Sequence, residues 1–419
     1  MEKKQSNYSL IFITWVLLVL FYGYQYFLRV APSVMAHDLR CEFSLNAEQF
    51  AFIPAIYLYA YGLLQIPIGL FLDSIGVKRT MMISIFICFL GTLLFFTAPN
   101  IQIAYFARFL IGAGSAAAFI TPLKIVGDNM PEGKKGFYMG LTLTFGTIGA
   151  LIAGKPQSLL MEHYGWRDTG LISAIGGLIL FLCVVFFIPR KGVIDEHTKK
   201  VDAFENITSQ LKKIINNKLI FIYAFLAFGL YTPLAVLSDT WGVTYFMEKL
   251  CITREVAAEC TAFIFIGLCI GSFVIPNFFE KRNRINQGIQ IGLVCTCLTF
   301  LTILYGNFES LYVLKIFLFL FGFFAGAEML CFTGVSNNAQ DGIRGLALGF
   351  ANTVNMVGGA ILQQVIGLLL DKMWSGKISE KGIRIYLASD FEKTFIFYIA
   401  IYIFCIFLAR YVINTPKKL

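Results

Sequence analysis

Glu328 is the carboxylate set deepest in an apolar stretch of this sequence, FGFFAGAEMLCF. Burial favours the neutral form of a carboxyl group and a nearby cation or water favours the charged form, so such a group can alternate between the two. Proton exchange is the chemistry this suggests; a structural pair with an internal lysine or arginine is the competing reading. Asp239, in LSDTWG, is a second candidate for the same role, against simple helix capping. Four basic residues also fall inside apolar stretches, Arg29, Arg108, Lys155 and Lys315, where a charge is costly unless it meets a partner or water. Gln25 and Arg29, four apart, share a helical face with aromatic hydroxyls nearby on Tyr22, Tyr24 and Tyr26. A planar guanidinium there suits a solute carboxylate or phosphate; snorkelling outward, or pairing with Asp38, is the alternative. Lys315 lies near the end of its stretch, where snorkelling accounts for it. Asn352, Asn355 and Gln363 recur on roughly one face of NTVNMVGGAILQQ. Such amides bind a polar solute or glue one helix to another.

Other chemistries find no support. The three histidines, His37, His163 and His197, fall in loops or at helix ends, and no Ser, Cys or carboxylate pairing suggests hydrolysis. There is no phosphate-binding Gly-Lys-Ser/Thr loop. The ten cysteines show no paired metal-ligand spacing, although Cys251 and Cys260 can be imagined to pair. A protein that is not an enzyme, with no cofactor and no metal, is the expectation.

The elements that must carry these groups are long and apolar. With 419 residues, 58% hydrophobic and 14% charged, the chain reads as an all-α polytopic membrane protein. Twelve stretches are long enough to cross a bilayer, near residues 9–36, 47–72, 80–97, 101–126, 136–160, 169–188, 218–247, 255–279, 287–305, 309–335, 343–370 and 391–412. The basic N-terminal segment leads into an apolar run that continues through Val30 without a cleavage site, which predicts a retained first helix, its outer end bent or broken near Pro32. Most Lys and Arg residues fall in segments then assigned to the cytoplasm, so the formal charge of +9 reports orientation rather than nucleic-acid binding. Both termini are expected in the cytoplasm, and the lipid bilayer is the expected macroscopic partner.

Between 189 and 217 hydrophobicity collapses, with an amphipathic segment from Phe204 to Ile215. This divides the chain into a first six-helix bundle (1–189), a cytoplasmic linker (190–217) and a second bundle (218–419). The halves look related: Gly62 and Pro67 match Gly271 and Pro276, and Gly136, Gly140, Thr144 and Gly149 match Gly345, Gly349, Thr353 and Gly358, all at one offset. Tyr231 is the counterpart of Tyr22 and a further cavity candidate. Tyr105 and Arg108 match Tyr312 and Lys315 at nearly that offset.

One turn is specific enough to point to a family. In GLFLDSIGVKRT, between the second and third apolar stretches, Gly69 can let two helices approach, Asp73 puts an acid at a helix end, Gly76 supplies the reversal, and Lys78 and Arg79 hold the loop in the cytoplasm. This pattern is similar to the loop between helices two and three of the major facilitator superfamily, from which Ser74 departs by replacing a basic residue. RFLIGAG, from Arg108 through Gly112 and Gly114, resembles that family's helix-four signature. The resemblance covers nearly the whole chain. It implies the major facilitator fold, two pseudo-symmetric bundles of six helices, and transport of a small solute by alternating access.

The same resemblance implies roles for single residues. The turn would act in gating, with Asp73 against the start of helix eleven near Arg344 and Gly345, and Lys78 or Arg79 paired with Asp128. Arg108 would make structural hydrogen bonds or couple protons. Helix five lines the cavity in that family, so Lys155 would bind an anionic group there or else mark the interface. Family exporters carry a Gly-Pro in helix five; GTIGALIAG has none, which points to uptake. FLRVAPSVM resembles bacterial importers of metabolites, including phagosomal nutrient transporters. The expected protein is therefore a secondary transporter of the bacterial inner membrane, a monomer, moving a carboxylate-bearing metabolite such as an amino acid, small peptide or organic acid with protons. A proton-driven exporter of drugs or siderophores and a non-transporting receptor or scaffold are the alternatives.

Overall fold

The computed structural model describes residues 2–188, 203–340, 343–380 and 382–414. These are almost entirely helical, as apolar stretches must be where no water is available to satisfy the backbone. The only strand-like pairing among them is one antiparallel bridge, Ile378 to Arg384.

The chain forms two compact units, 1–31 with 56–206 and 32–55 with 207–419. The first contains α1 (Glu2–Val30), most of α3 (Ala47–Ile75), α4 (Val77–Phe96), α5 (Ile101–Ser115), α6 (Ile120–Asn129), α7 (Glu132–Ile152) and α8 (Lys155–Phe187). The second contains α2 (Ala36–Phe43), the start of α3, most of α9 (Ala203–Ile215), α10 (Lys218–Ala235), α11 (Gly242–Leu250), α12 (Arg254–Glu280) and α13 (Ile285–Tyr305). It is completed by α14 (Leu311–Ala325), α15 (Glu328–Asn338), α16 (Arg344–Lys372), α17 (Ala388–Phe395) and α18 (Phe397–Asn414).

Among the described residues, eleven helical segments are apolar and long enough to cross a membrane, but one of them, Lys134–Phe187, runs for 54 residues. At 1.5 Å per residue that is about 80 Å, more than two bilayer cores. It is two spans: Gly165, at φ 76°, breaks the helix in a conformation that residues with a Cβ avoid. Twelve spans result, as the sequence predicts. Gly76, at φ 82°, makes the reversal between α3 and α4 expected of the glycine in GLFLDSIGVKRT.

The two halves repeat in structure as well as sequence. In the first unit α1 packs on α7 and α4 on α5; in the second α10 packs on α16 and α13 on α14. A Cβ on Gly112 would collide with the carbonyl of Tyr57, and one on Gly322 with the carbonyl of Ile264, so the same backbone approach is built twice. Both α5 and α14 have 15 residues and stop inside a span, leaving α6 and α15 to finish it.

The expected break near Pro32 is present, the first helix stopping at Val30 in a 3-10 turn, Ala31–Ser33, before a separate α2, since Pro32 withholds a backbone donor. Other expectations are corrected. The seventh span is not one helix: Pro233 precedes a π turn, Val236–Thr240, before α11. Asp128, which the sequence sets at the start of a cytoplasmic loop spanning 128–135, belongs to α6. Gly69 is not at a close helix approach, since no described atom lies within 4 Å of where its Cβ would stand.

Candidate solute and proton sites

In the first unit, α1, α3 and α5 bring polar groups into an otherwise apolar interior. Gln25 and Arg29 project from the same side of α1 and are 1% and 6% exposed. Tyr57 donates its hydroxyl to Gln25 Oε1 at 2.5 Å and stacks on Tyr61, with centroids 6.0 Å apart. Arg29 lies over the Tyr26 ring at 5.1 Å and within electrostatic reach of Tyr57 and Tyr61. Tyr22 packs edge-on against Tyr26 at 5.2 Å and tilted against Phe119 at 5.4 Å. A buried guanidinium ringed by phenols and an amide is chemically suited to an anion with further polar groups. Asp38 forms an ion pair with Arg254 at 2.9 Å.

Arg108 is fully buried on α5. Its Nη1 donates to the Leu28 carbonyl at 2.7 Å, and the guanidinium lies 4.9 Å from the Tyr57 ring and 5.7 Å from that of Phe95. It thus ties α5 to the end of α1, a structural hydrogen bond of the kind the helix-four resemblance implies. Lys155, at the start of α8, has an exposed side chain; Gln157, two residues on, is the buried one. Neither amide atom of Gln157 has a hydrogen-bond partner among the described residues.

In the second unit Glu328 opens α15, just after the helix break at Gly326 and Ala327, where an acid also faces the positive end of a helix. Its Oε1 accepts a hydrogen bond from Asn355 Nδ2 at 2.5 Å. Glu328 is 7% exposed and Asn355 is wholly buried. Asn355 Oδ1 and both amide atoms of the buried Gln363 have no partner among the described residues. Asn352 is half-buried on the same helix. The Tyr231 hydroxyl points to Met356 Sδ at 3.6 Å. Asp239 sits on the π turn, accepting from Ser238 Oγ at 2.7 Å; such turns place side chains that a regular helix would aim elsewhere. Lys315 pairs with Glu259 at 2.5 Å instead of merely snorkelling.

Around the α3–α4 turn, the side chain of Asp73 lies outside the described residues. Lys78 Nζ donates to the carbonyls of Val185, at 2.8 Å, and Ile188, so it caps α8. Asp128 stands 3.9 Å from Lys124. Arg79 is exposed. No group of three or more potential metal-binding side chains occurs among the described residues.

Twelve spans, an internal repeat and buried polar groups carried by several helices define a secondary-transporter architecture, and comparison with known proteins gives the family. The profile of the Major Facilitator Superfamily matches residues 13–362, and the chain belongs to that superfamily. It is 24% identical over 401 residues to the D-galactonate transporter of Escherichia coli O6:H1, covering 88% of this chain and 89% of that one. It is 28% identical over 182 residues to the probable sulfoacetate transporter SauU of Cupriavidus necator; this match spans 43% of the chain and only 42% of that relative. The crystal structure of a bacterial homologue of the human lysosomal transporter Spinster, in an inward-facing and unoccupied conformation, superposes with a TM-score of 0.76. That alignment has 13% identity and covers 98% of this chain and 99% of that one.

Tyr57, Tyr61 and Gln157 escape the sequence analysis. Tyr57 and Tyr61 are a helical turn apart in a tyrosine-rich stretch, which reads as packing until Gln25 is seen to accept from Tyr57.

Proposed function

We propose that this transporter takes up a small carboxylate-bearing metabolite by proton symport, Arg29 and its neighbours receiving the anion and Glu328 carrying the proton. The observation that carries the reading is the buried pair of Glu328 and Asn355. An ionised Glu328 accepts from the Asn355 amide nitrogen. A protonated Glu328 donates to the amide oxygen, which has no partner among the described residues, once the amide turns over. The pair therefore gives the Glu328 carboxyl a hydrogen-bond partner in either charge state. The names of the galactonate and sulfoacetate transporters denote organic anions, in keeping with a cationic site. Both termini in the cytoplasm, the bacterial inner membrane and action as a monomer belong to the same reading.

The test is uptake into proteoliposomes of labelled sugar acids, other organic acids, amino acids and small peptides, with and without an inward proton gradient, for the wild type and Glu328→Gln. Gradient-driven accumulation of one anion, lost in the variant while counterflow exchange survives, is the expected result. Unchanged accumulation in the variant removes Glu328 from coupling, and gradient-driven efflux in place of accumulation makes the protein an exporter.

A further inference from the structure

Residues 32–55 belong by sequence to the first half, yet in the structure they cluster with the second. A single carboxylate is central to that attachment. Asp371, in the last turn of α16, accepts the backbone N–H of Ala47 at Oδ1, 3.3 Å, and that of Glu48 at Oδ2, 2.9 Å. These are the first donors of α3, a helix of 29 residues, at the end where N–H groups lack intrahelical partners and the dipole is positive.

The surroundings hold Asp371 in place. The Tyr386 hydroxyl donates to Asp371 and accepts the Ala47 N–H at 2.9 Å. Burial, and then the adjoining Asp371 carboxylate, push the Tyr386 phenol above its ordinary pKa, so it remains a donor. Arg384 Nη1 reaches Asp371 Oδ1 at 2.9 Å, and the Arg384 carbonyl accepts from Arg40 Nη2 at 2.5 Å. Arg40 in turn lies 4.7 Å from the centre of the Tyr386 ring. One turn back along α16, a Cβ on Gly367 would stand 2.7 Å from Ala51 Cβ and 2.8 Å from the Ala47 carbonyl oxygen, so the two backbones meet there. At the other end of α16 the corresponding atom on Gly345 would have no described neighbour within 4 Å.

We propose that Asp371 is a breakable latch, holding the outer ends of the second and eleventh spans together in one state of the transport cycle and releasing them in the other. The proposal rests on the reading of the chain as an alternating-access transporter with cytoplasmic termini. The chemistry suits a bond that must open. The polar contacts to Asp371 are directional, so a small separation breaks them together. The side chains of Asp371 and Arg384 are 12% and 40% exposed, so water can replace what each loses. Buried apolar contact accompanies these polar ones, with Phe50 edge-on to Trp241 at 4.9 Å, so the polar set is the directional part of the attachment.

The experiment reads access rather than solute flux, which keeps failure of the latch distinct from failure of the transport reading. Ala55 is wholly buried and lies one turn beyond Ala51 on the same face of α3. Ala55→Cys, in a chain whose ten native cysteines are replaced, is labelled on intact cells with a membrane-impermeant maleimide. Asp371→Ala should raise the labelling rate about tenfold. Gly367→Val, a steric wedge that leaves every charge in place, should do the same, and Tyr386→Phe should raise it less. Lys372→Ala, next to the latch, should leave the rate unchanged. Gel filtration and thermal unfolding in detergent identify the folded variants. Parental labelling in whichever of Asp371→Ala, Gly367→Val and Tyr386→Phe fold overturns the latch, as does an equal rise in Lys372→Ala. Faster labelling without detectable flux of any solute upholds it.

Discussion

The amide nitrogen of Asn355 stands 2.5 Å from a carboxylate oxygen of Glu328, joining α16 to the first residue of α15. A hydrogen bond to a charged group contributes roughly 1.5–3 kcal/mol, so Asn355 is a positioning residue for the proposed proton site. Asn355→Ala is expected to reduce gradient-driven accumulation at least about tenfold, since about 1.4 kcal/mol is a factor of ten. Counterflow exchange should change no more than about threefold, on the same conversion. Asn355→Asp sets a second carboxylate beside Glu328 and should impair accumulation further. Proteoliposome uptake and counterflow, run side by side, check this. Equal losses in both assays would assign Asn355 to solute binding instead.

Tyr57 holds Gln25 by a hydrogen bond of 2.5 Å, with both residues 1% exposed. Tyr57→Phe keeps the ring that packs against Tyr61 and Arg108 and removes only the donor, at a cost of roughly 1 kcal/mol. If Gln25 orients the solute, the expected effect is a rise in KM of about fivefold with an unchanged maximal rate. Gln25→Leu should raise KM at least as much. A fall in maximal rate with constant KM in both variants would take this pair out of solute recognition.

Lys78 donates to the carbonyls of Val185 and Ile188 at the end of α8. A cation on exposed helix-terminal carbonyls contributes about 0.3–1 kcal/mol, up to about 2 kcal/mol where partly buried. Lys78→Met should therefore lower the Tm in detergent by a few degrees, roughly what such a loss gives in a chain of this size, and leave KM unchanged. Arg79→Met should leave the Tm within error. The paired melts separate the two basic residues, which the sequence motif presents as equivalent.

The parts of this fold that were legible in the sequence are those set by local rules. Apolar length specified the twelve spans, because a bilayer demands it, and the Gly76 reversal followed from a residue able to adopt positive φ. The matched glycines foretold the repeat that Gly112 and Gly322 now show. The proximity of Glu328 and Asn355 was not legible: each stood out by its own chemistry, but their meeting depends on how α15 packs beside α16. The same holds for Asp371. At the end of an apolar stretch it reads as an ordinary boundary acid, and only the approach of α3 gives it two backbone donors. Lys155 shows the converse. Its charge attracts notice in the sequence, whereas in the structure its side chain is exposed and Gln157 is the group turned inward.

Gly112 and Gly69 are both glycines of recognisable family patterns, and the structure gives them opposite roles. A Cβ on Gly112 would meet the backbone of Tyr57, whose carbonyl cannot swing away without breaking α3; one on Gly69 would meet no described atom within 4 Å. A substitution that drives a packed helix off its neighbour costs about 1–3 kcal/mol or more, whereas Gly to Ala in an open helical position gains roughly 0.5–1 kcal/mol from reduced chain freedom. Gly112→Ala is therefore expected to lower the Tm markedly and reduce the yield of monodisperse protein, with Tyr57 displaced and KM raised in what remains. Gly69→Ala should leave the Tm equal or slightly higher. Any loss of transport in a stable Gly69→Ala protein would then belong to a state of the cycle in which Gly69 is covered, and cysteine labelling at position 69, slowed by solute in one direction of the gradient only, would identify that state.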